Sequence, residues 1–237
     1  MLIFFVEDFM KSKRYFSKFE IALWLSSVAF ITAFFLIFDR SNYLSLAASL
    51  IGVTSLIFCA KGNPAGQALM IIFGIMYGFI SWGFSYYGEM ITYVGMTVPM
   101  AALSLVSWLK NPYKGNKSEV RVNRISKKEL YIGIALTATV TVAFWFILKA
   151  FNTANLLPST FSVTTSFFAV YLTLRRSTYF ALAYAANDVV LIILWIMATL
   201  KDISYISVTV CFFVFLLNDL YGFFSWKRMQ KRQDKKD

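Results

Sequence analysis

Apolar residues run through the chain in eight long blocks, and charged residues are confined almost entirely to the gaps between them. The blocks cover 20–38, 43–60, 65–84, 89–109, 129–148, 158–174, 178–199 and 203–226. Each is about long enough to cross a ~30 Å hydrocarbon core as a helix rising ~1.5 Å per residue. A helix satisfies its own backbone polar groups, as lipid requires, so the pattern predicts an all-α polytopic membrane protein with eight transmembrane helices. The gaps are short and leave no room for a separate soluble domain. The longest, 110–128, carries Asn111, Pro112, Gly115 and Asn116 as helix breakers.

Charge orients this arrangement. When the blocks are threaded alternately, all of the 23 Lys and Arg residues except Arg40, Lys149 and Lys201 fall on one side. Lys11, Lys13, Arg14, Lys18, Lys61, the 110–128 loop, Arg175, Arg176 and the tail from Lys227 to Lys236 share that side. The positive-inside rule makes it cytoplasmic, with both termini inside. The first ten residues, MLIFFVEDFM, are apolar but too short to span, and positive charge follows them. They read as an interfacial segment and not as a signal peptide.

The remaining composition mostly excludes. A hydrophobic fraction of 59% with 19% aromatics exceeds that of a soluble domain. The net charge of +11 is what topology demands, so it does not indicate nucleic acid. Attraction of the basic tail to anionic lipid is its plain consequence. The chain has no histidine, which removes the commonest acid–base catalyst and the commonest zinc and haem ligand. Cys59 and Cys211 lie inside spans, with neither disulfide nor metal spacing. No Walker loop is present. No cofactor, metal or enzymatic chemistry is expected, which leaves a transporter, a channel or a structural membrane subunit.

An internal repeat favours a transporter. Asn187-Asp188 is followed by Trp195, and Asn218-Asp219 by Trp226, at the same spacing. Met100 precedes Trp108, and Gly74 precedes Trp82, at that spacing too. Spans two to four thus parallel spans six to eight, with span five between them and span one outside. Trp108 and Trp226 fall at inner ends, where an aromatic belt sits. Trp82 and Trp195 fall at outer ends, where a belt role and closure of an outer vestibule both remain open.

Asn187-Asp188 and Asn218-Asp219 lie deepest. Asn187 is 11 residues beyond Arg176, and Asn218 nine before Lys227. At ~1.5 Å per residue both are roughly 14–16 Å from the inner boundary, near the midplane. A charged Asp there costs at least ~2.5–3.5 kcal/mol, so such residues usually face a bundle interior or a wet cavity. Tyr184, Asp188 and Trp195 share one helical face, and Phe215, Asp219 and Trp226 repeat it. A carboxylate between aromatic rings suits a cationic, planar solute. The plainer reading is interhelical hydrogen-bond glue. Thr160, Ser162, Thr164, Thr165 and Ser166 in span six are further path-lining candidates, as are Tyr77, Tyr87, Tyr93 and Tyr171. Pro99 predicts a kink in span four, and Gln67 a solvated or belt position.

The segments FGIMYGFISWGFSYYGEM (73–90) and SWLKNP (107–112) resemble the first half of the PnuC family. YAANDVVLIILW (184–195) and LLNDLYGFFSWKRM (216–229) resemble its second half. The resemblance covers about residues 40–229. It implies two parallel three-helix bundles joined by a linker helix, a SWEET-like fold, with substrate held between the bundles. It implies uptake of nicotinamide riboside by facilitated diffusion, made one-way by a cytoplasmic riboside kinase. The family Asn of span seven corresponds to Asn187. Ala183 and Phe180 stand where many members have Trp, so Tyr184 or Trp195 takes the stacking role. Related proteins of this fold carry thiamine.

The expected layout is residues 1–40 for the interfacial segment and an extra transmembrane helix, then 41–110 for the first bundle. Residues 111–150 form the loop and linker helix, 151–229 the second bundle, and 230–237 a basic cytoplasmic tail. The expected protein is a nicotinamide riboside transporter of the bacterial cytoplasmic membrane, with a homo-oligomer left open. Its expected binding residues are Asn187, Asp188, Asn218, Asp219, Tyr184, Trp195, Tyr77, Trp82 and Thr164. The alternatives are a thiamine or proton-coupled vitamin carrier of the same fold, and a non-transporting membrane subunit.

Overall fold

A computed structural model describes residues 15–235 apart from 41, 84–86 and 154, and leaves out the side chains at 83, 87–89 and 204. The interfacial segment expected at 1–10, with Lys11, Lys13, Arg14, Lys236 and the Tyr87 side chain, lies outside what is described. Among the described residues, eight helices are long and apolar enough to cross a membrane. They are α1 (Lys18–Phe38), α2 (Tyr43–Ala60), α3 (Pro64–Gly83), an interrupted α4, α5 (Lys127–Ala150), α6 (Leu156–Leu174), α7 (Phe180–Thr199) and α8 (Ile206–Asp234).

The interruption in α4 lies one turn from Pro99. The helix runs over Tyr87–Thr92, makes a π turn over Tyr93–Thr97, and resumes over Val98–Lys110. Proline donates no N–H, so the backbone ladder must be rearranged near it. The wide turn does this: Val98 N–H reaches back to Tyr93 O, and Thr97 Oγ1 donates to Thr92 O at 3.3 Å.

Neighbours in sequence pack together within α2–α4 and within α6–α8, giving two parallel three-helix bundles. Across the bundles α8 meets α2, and α4 meets α6. Small residues permit the close crossings: a Cβ on Gly52 of α2 would meet the Phe215 ring of α8 at 2.5 Å. The linker α5 packs on α6, and α1 packs on α2 and α8.

The repeat extends further than the tryptophan spacing indicates. Helices α1 and α5 both begin Ser-Lys-x-Glu and both start in a reciprocal capping box, Ser17 with Glu20 and Ser126 with Glu129. Lys61, the first residue after α2, pairs with Glu20 at 3.4 Å, and Arg175, the first after α6, pairs with Glu129. The following turns match as well. Gly62 and Arg176 both take left-handed φ, 67° and 55°. Gly62 N–H donates to Cys59 O and Arg176 N–H to Thr173 O, each at 2.9 Å. At its starting end α1 is therefore the counterpart of α5.

Two features at the basic end add order that the pattern of residues does not predict. The 110–128 loop holds a β-hairpin, β1 (Pro112–Tyr113) against β2 (Asn116–Val120), turned at Lys114 and Gly115 with left-handed φ. The residues taken as a basic tail continue α8 to Asp234. Gln233 is buried, its Nε2 donating to Val120 O at 3.1 Å and to Glu119 Oε1 at 2.9 Å. Hydrogen bonding to the hairpin holds this stretch helical beyond the expected membrane boundary.

Candidate functional site

Asp188 on α7 and Asp219 on α8 are both buried, with their carboxyl groups within hydrogen-bonding reach of each other. Only a shared proton makes such a contact attractive, because two carboxylates have no donor between them. A pair with one proton carries one negative charge. Glu20 is the other buried acid, and no Lys or Arg is buried among the described residues. The pair therefore has no internal cation as its partner.

The two asparagines turn away from each other. Successive helical residues are about 100° apart, so side chains next to a pair facing across α7 and α8 must point to the flanks. Asn187 points to α6, where its Oδ1 accepts from Thr165 Oγ1 at 2.8 Å and from Ser162 Oγ at 3.5 Å. Those hydroxyls hold the amide oxygen and leave the NH2 group as the donor. Asn218 points to α1, donating from Nδ2 to Ser27 Oγ and to Val214 O, both at 2.9 Å.

Aromatic residues lie above and below the level of the acid pair along α7 and α8. Towards the end opposite the basic one, Trp195 is 6% exposed and sits in one cluster with Tyr77, Phe73, Leu191, Phe212 and Phe215. The Tyr77 ring lies 4.5 Å from Tyr93 and 5.6 Å from Phe73, centroid to centroid. Towards the basic end, Tyr184 packs edge-on to Phe180, its hydroxyl reaches Thr173, and Asp219 and Asp188 are among its electrostatic neighbours.

Other expected residues lie elsewhere. Trp82 is 59% exposed and faces outward. The matching turns at Gly62 and Arg176 align α3 and α7 one residue differently from the tryptophan spacing. Trp82 then corresponds to exposed Ile196, and buried Trp195 to buried Ser81. Thr164 Oγ1 bonds to Thr160 O and to Thr141 Oγ1 of α5, away from the acid pair. Tyr171 is used structurally, its hydroxyl donating to Glu129 O at 2.7 Å. Gln67 is not solvated: it is buried, with Nε2 3.2 Å from Cys59 Sγ.

Trp108 and Trp226 are not belt residues. Both are 0% exposed, with ring centroids 5.3 Å apart. Each indole N–H donates to the backbone of the opposite bundle, Trp108 to Thr173 O at 3.0 Å and Trp226 to Cys59 O at 2.8 Å. Sequence position gave only their depth. Which way each ring turns follows from the crossings of α4 with α6 and of α8 with α2. Cations crowd just beyond them: burial first, then Arg175 and Arg121, holds Arg176 below the usual guanidinium range.

Eight membrane-crossing helices, six of them in two parallel three-helix bundles, with an acid pair and aromatic rings buried between helices, define a multi-pass membrane transporter and not an enzyme. The chain belongs to the nicotinamide mononucleotide transporter family, whose model matches residues 42–228. It is 24% identical over 216 residues to a nicotinamide riboside transporter PnuC of Neisseria mucosa, covering 89% of this chain and 82% of that one. It is 22% identical over 212 residues to the protein of that description from Haemophilus influenzae, covering 89% and 90%. The crystal structure of the vitamin B3 transporter PnuC superimposes with a TM-score of 0.79 at 21% identity, over 92% of this chain and 94% of that one. The fold is thus the one that the short motifs resemble.

Proposed function

We propose that this protein carries nicotinamide riboside across the bacterial cytoplasmic membrane by facilitated diffusion, with alternating access. The observation that carries the choice of substrate is the Asp188–Asp219 pair, buried with no buried Lys or Arg among the described residues. The family is described by the mononucleotide and the two relatives by the riboside. A mononucleotide brings a phosphate, which needs cationic partners. A riboside brings one pyridinium charge, the complement of an acid pair that holds one proton. Asp188 and Asp219 face that ring, with Tyr77, Trp195 and Tyr184 as aromatic neighbours. The NH2 group of Asn187 donates to an acceptor oxygen of the substrate. The basic end faces the cytoplasm, as the positive-inside rule expects, and a riboside kinase there keeps the flow inward.

Titration calorimetry of the purified protein with nicotinamide riboside, nicotinamide mononucleotide and thiamine tests this reading. The riboside is expected to bind, and the mononucleotide to bind far more weakly. Thiamine is also an aromatic cation, so saturable thiamine binding without riboside binding would reassign the substrate. Tighter binding of the mononucleotide would remove the acid pair from the site.

A further inference from the structure

We propose that Trp108 and Trp226 form the gate at the basic end of the transporter, and that substrate leaves there only when both of their cross-bundle hydrogen bonds break together. The inference rests on the transport reading above, but not on which vitamin is carried.

The geometry is reciprocal. Trp108 of α4 in the first bundle donates to Thr173 O of α6 in the second, and Trp226 of α8 in the second donates to Cys59 O of α2 in the first. Thr173 and Cys59 are the penultimate residues of their helices. Each carbonyl also accepts the left-handed residue of the following turn, Arg176 or Gly62. Such an exchange is isologous, like the interface of a twofold dimer. A motion that separates the bundles at this end stretches both bonds at once.

The site's layout puts these bonds on the route. Tyr184 lies among the neighbours of Asp188 and Asp219 and packs on Phe180. Phe180 packs in turn on Trp226 at 4.8 Å and on Trp108 at 6.2 Å. Beyond the tryptophans come Lys110 and Lys227 and the basic surface. A solute passing from the acid pair to this end must move past the indole pair. The acceptors suit a contact that forms and breaks. Both are end-of-helix carbonyls with a second lone pair, so losing the indole unpicks no helix and water can replace it.

The reporter is already in the gate. Cys59 is buried in one cluster with Trp108, Phe180 and Trp226, and the chain's other cysteine is Cys211. In a Cys211→Ser background, the rate of Cys59 alkylation by a water-soluble maleimide is measured on purified protein. Trp108→Phe and Trp226→Phe keep an aromatic ring and delete only the N–H group and part of the ring system. Each is expected to raise the rate by about 3- to 10-fold, the effect of one lost hydrogen bond. Trp108→Phe is the decisive arm, because its own acceptor is Thr173 and not Cys59. If only Trp226→Phe speeds alkylation, the bond is a local cap and the gate is refuted. Unchanged rates in both variants overturn it as well. No vitamin is present in the assay, so a wrong substrate assignment leaves these outcomes unaltered.

Discussion

The carboxyl group of Asp188 on α7 meets that of Asp219 on α8 inside the membrane-crossing part of the protein, although each sits beside an asparagine that turns elsewhere. In the proposed function, a single negative charge shared by two carboxyl groups, with tyrosine and tryptophan nearby, would receive an organic cation. The expense of burying such a charge within a membrane-crossing bundle, ~2.5–3.5 kcal/mol or more for a charged Asp, would then be offset when the cation binds.

Charge recognition predicts a selective defect. Asp188→Asn and Asp219→Asn combined remove the pair's one negative charge. Together they should weaken nicotinamide riboside by roughly 10- to 150-fold, from the ~1.5–3 kcal/mol of a hydrogen bond to a charged group. Either change alone leaves one carboxylate and should weaken it less. The reduced, uncharged riboside should lose much less. Calorimetry with both ligands reads the difference, and equal losses would show that the pair does not sense charge.

The two asparagines should separate in their effects. Asn187→Ala removes a donor whose orientation Thr165 and Ser162 fix. It should weaken binding by about 5- to 150-fold, or ~1–3 kcal/mol. Asn218→Ala removes the bond to Ser27 that ties α8 to α1. It should lower the melting temperature by a few degrees, from ~1 kcal/mol, with affinity per folded molecule nearly unchanged. The reverse pattern would place substrate against α1.

Orientation is tested by labelling. A cysteine at exposed Asn116, in the hairpin that Gln233 anchors, should resist an impermeant maleimide in intact cells and react after lysis. Reaction from outside would invert the topology.

Much of this arrangement was legible in the chain. The apolar blocks marked the eight helices, and two Asp residues in the middle of apolar blocks marked the buried acid pair. Facing was harder to read. Asn187 and Asp188 are neighbours in sequence but some 100° apart around α7, so which of them meets α8 depends on how the helices cross. Trp82 and Trp195 share a spacing yet differ in burial, because the turn at Gly62 and Arg176 sets the alignment one residue away. A missed signal was present in plain text: Ser17-Lys18-Phe19-Glu20 and Ser126-Lys127-Lys128-Glu129 mark equivalent helix starts. The helical end of α8 carried no sign of its own, because its order comes from Gln233 meeting a hairpin more than a hundred residues away.

The central claim is that this chain moves a vitamin cation down its gradient without an energy source. Its most direct test is uptake of labelled nicotinamide riboside into proteoliposomes holding the purified protein. Labelled riboside should enter until inside and outside concentrations are equal, with the same end point whether or not a pH gradient is imposed. Asp188→Asn and Asp219→Asn combined should slow entry without changing the end point. Accumulation above the outside concentration under an inward proton gradient would contradict facilitated diffusion and make Asp188 and Asp219 proton carriers, and uptake no faster than into empty liposomes would contradict transport of this substrate altogether.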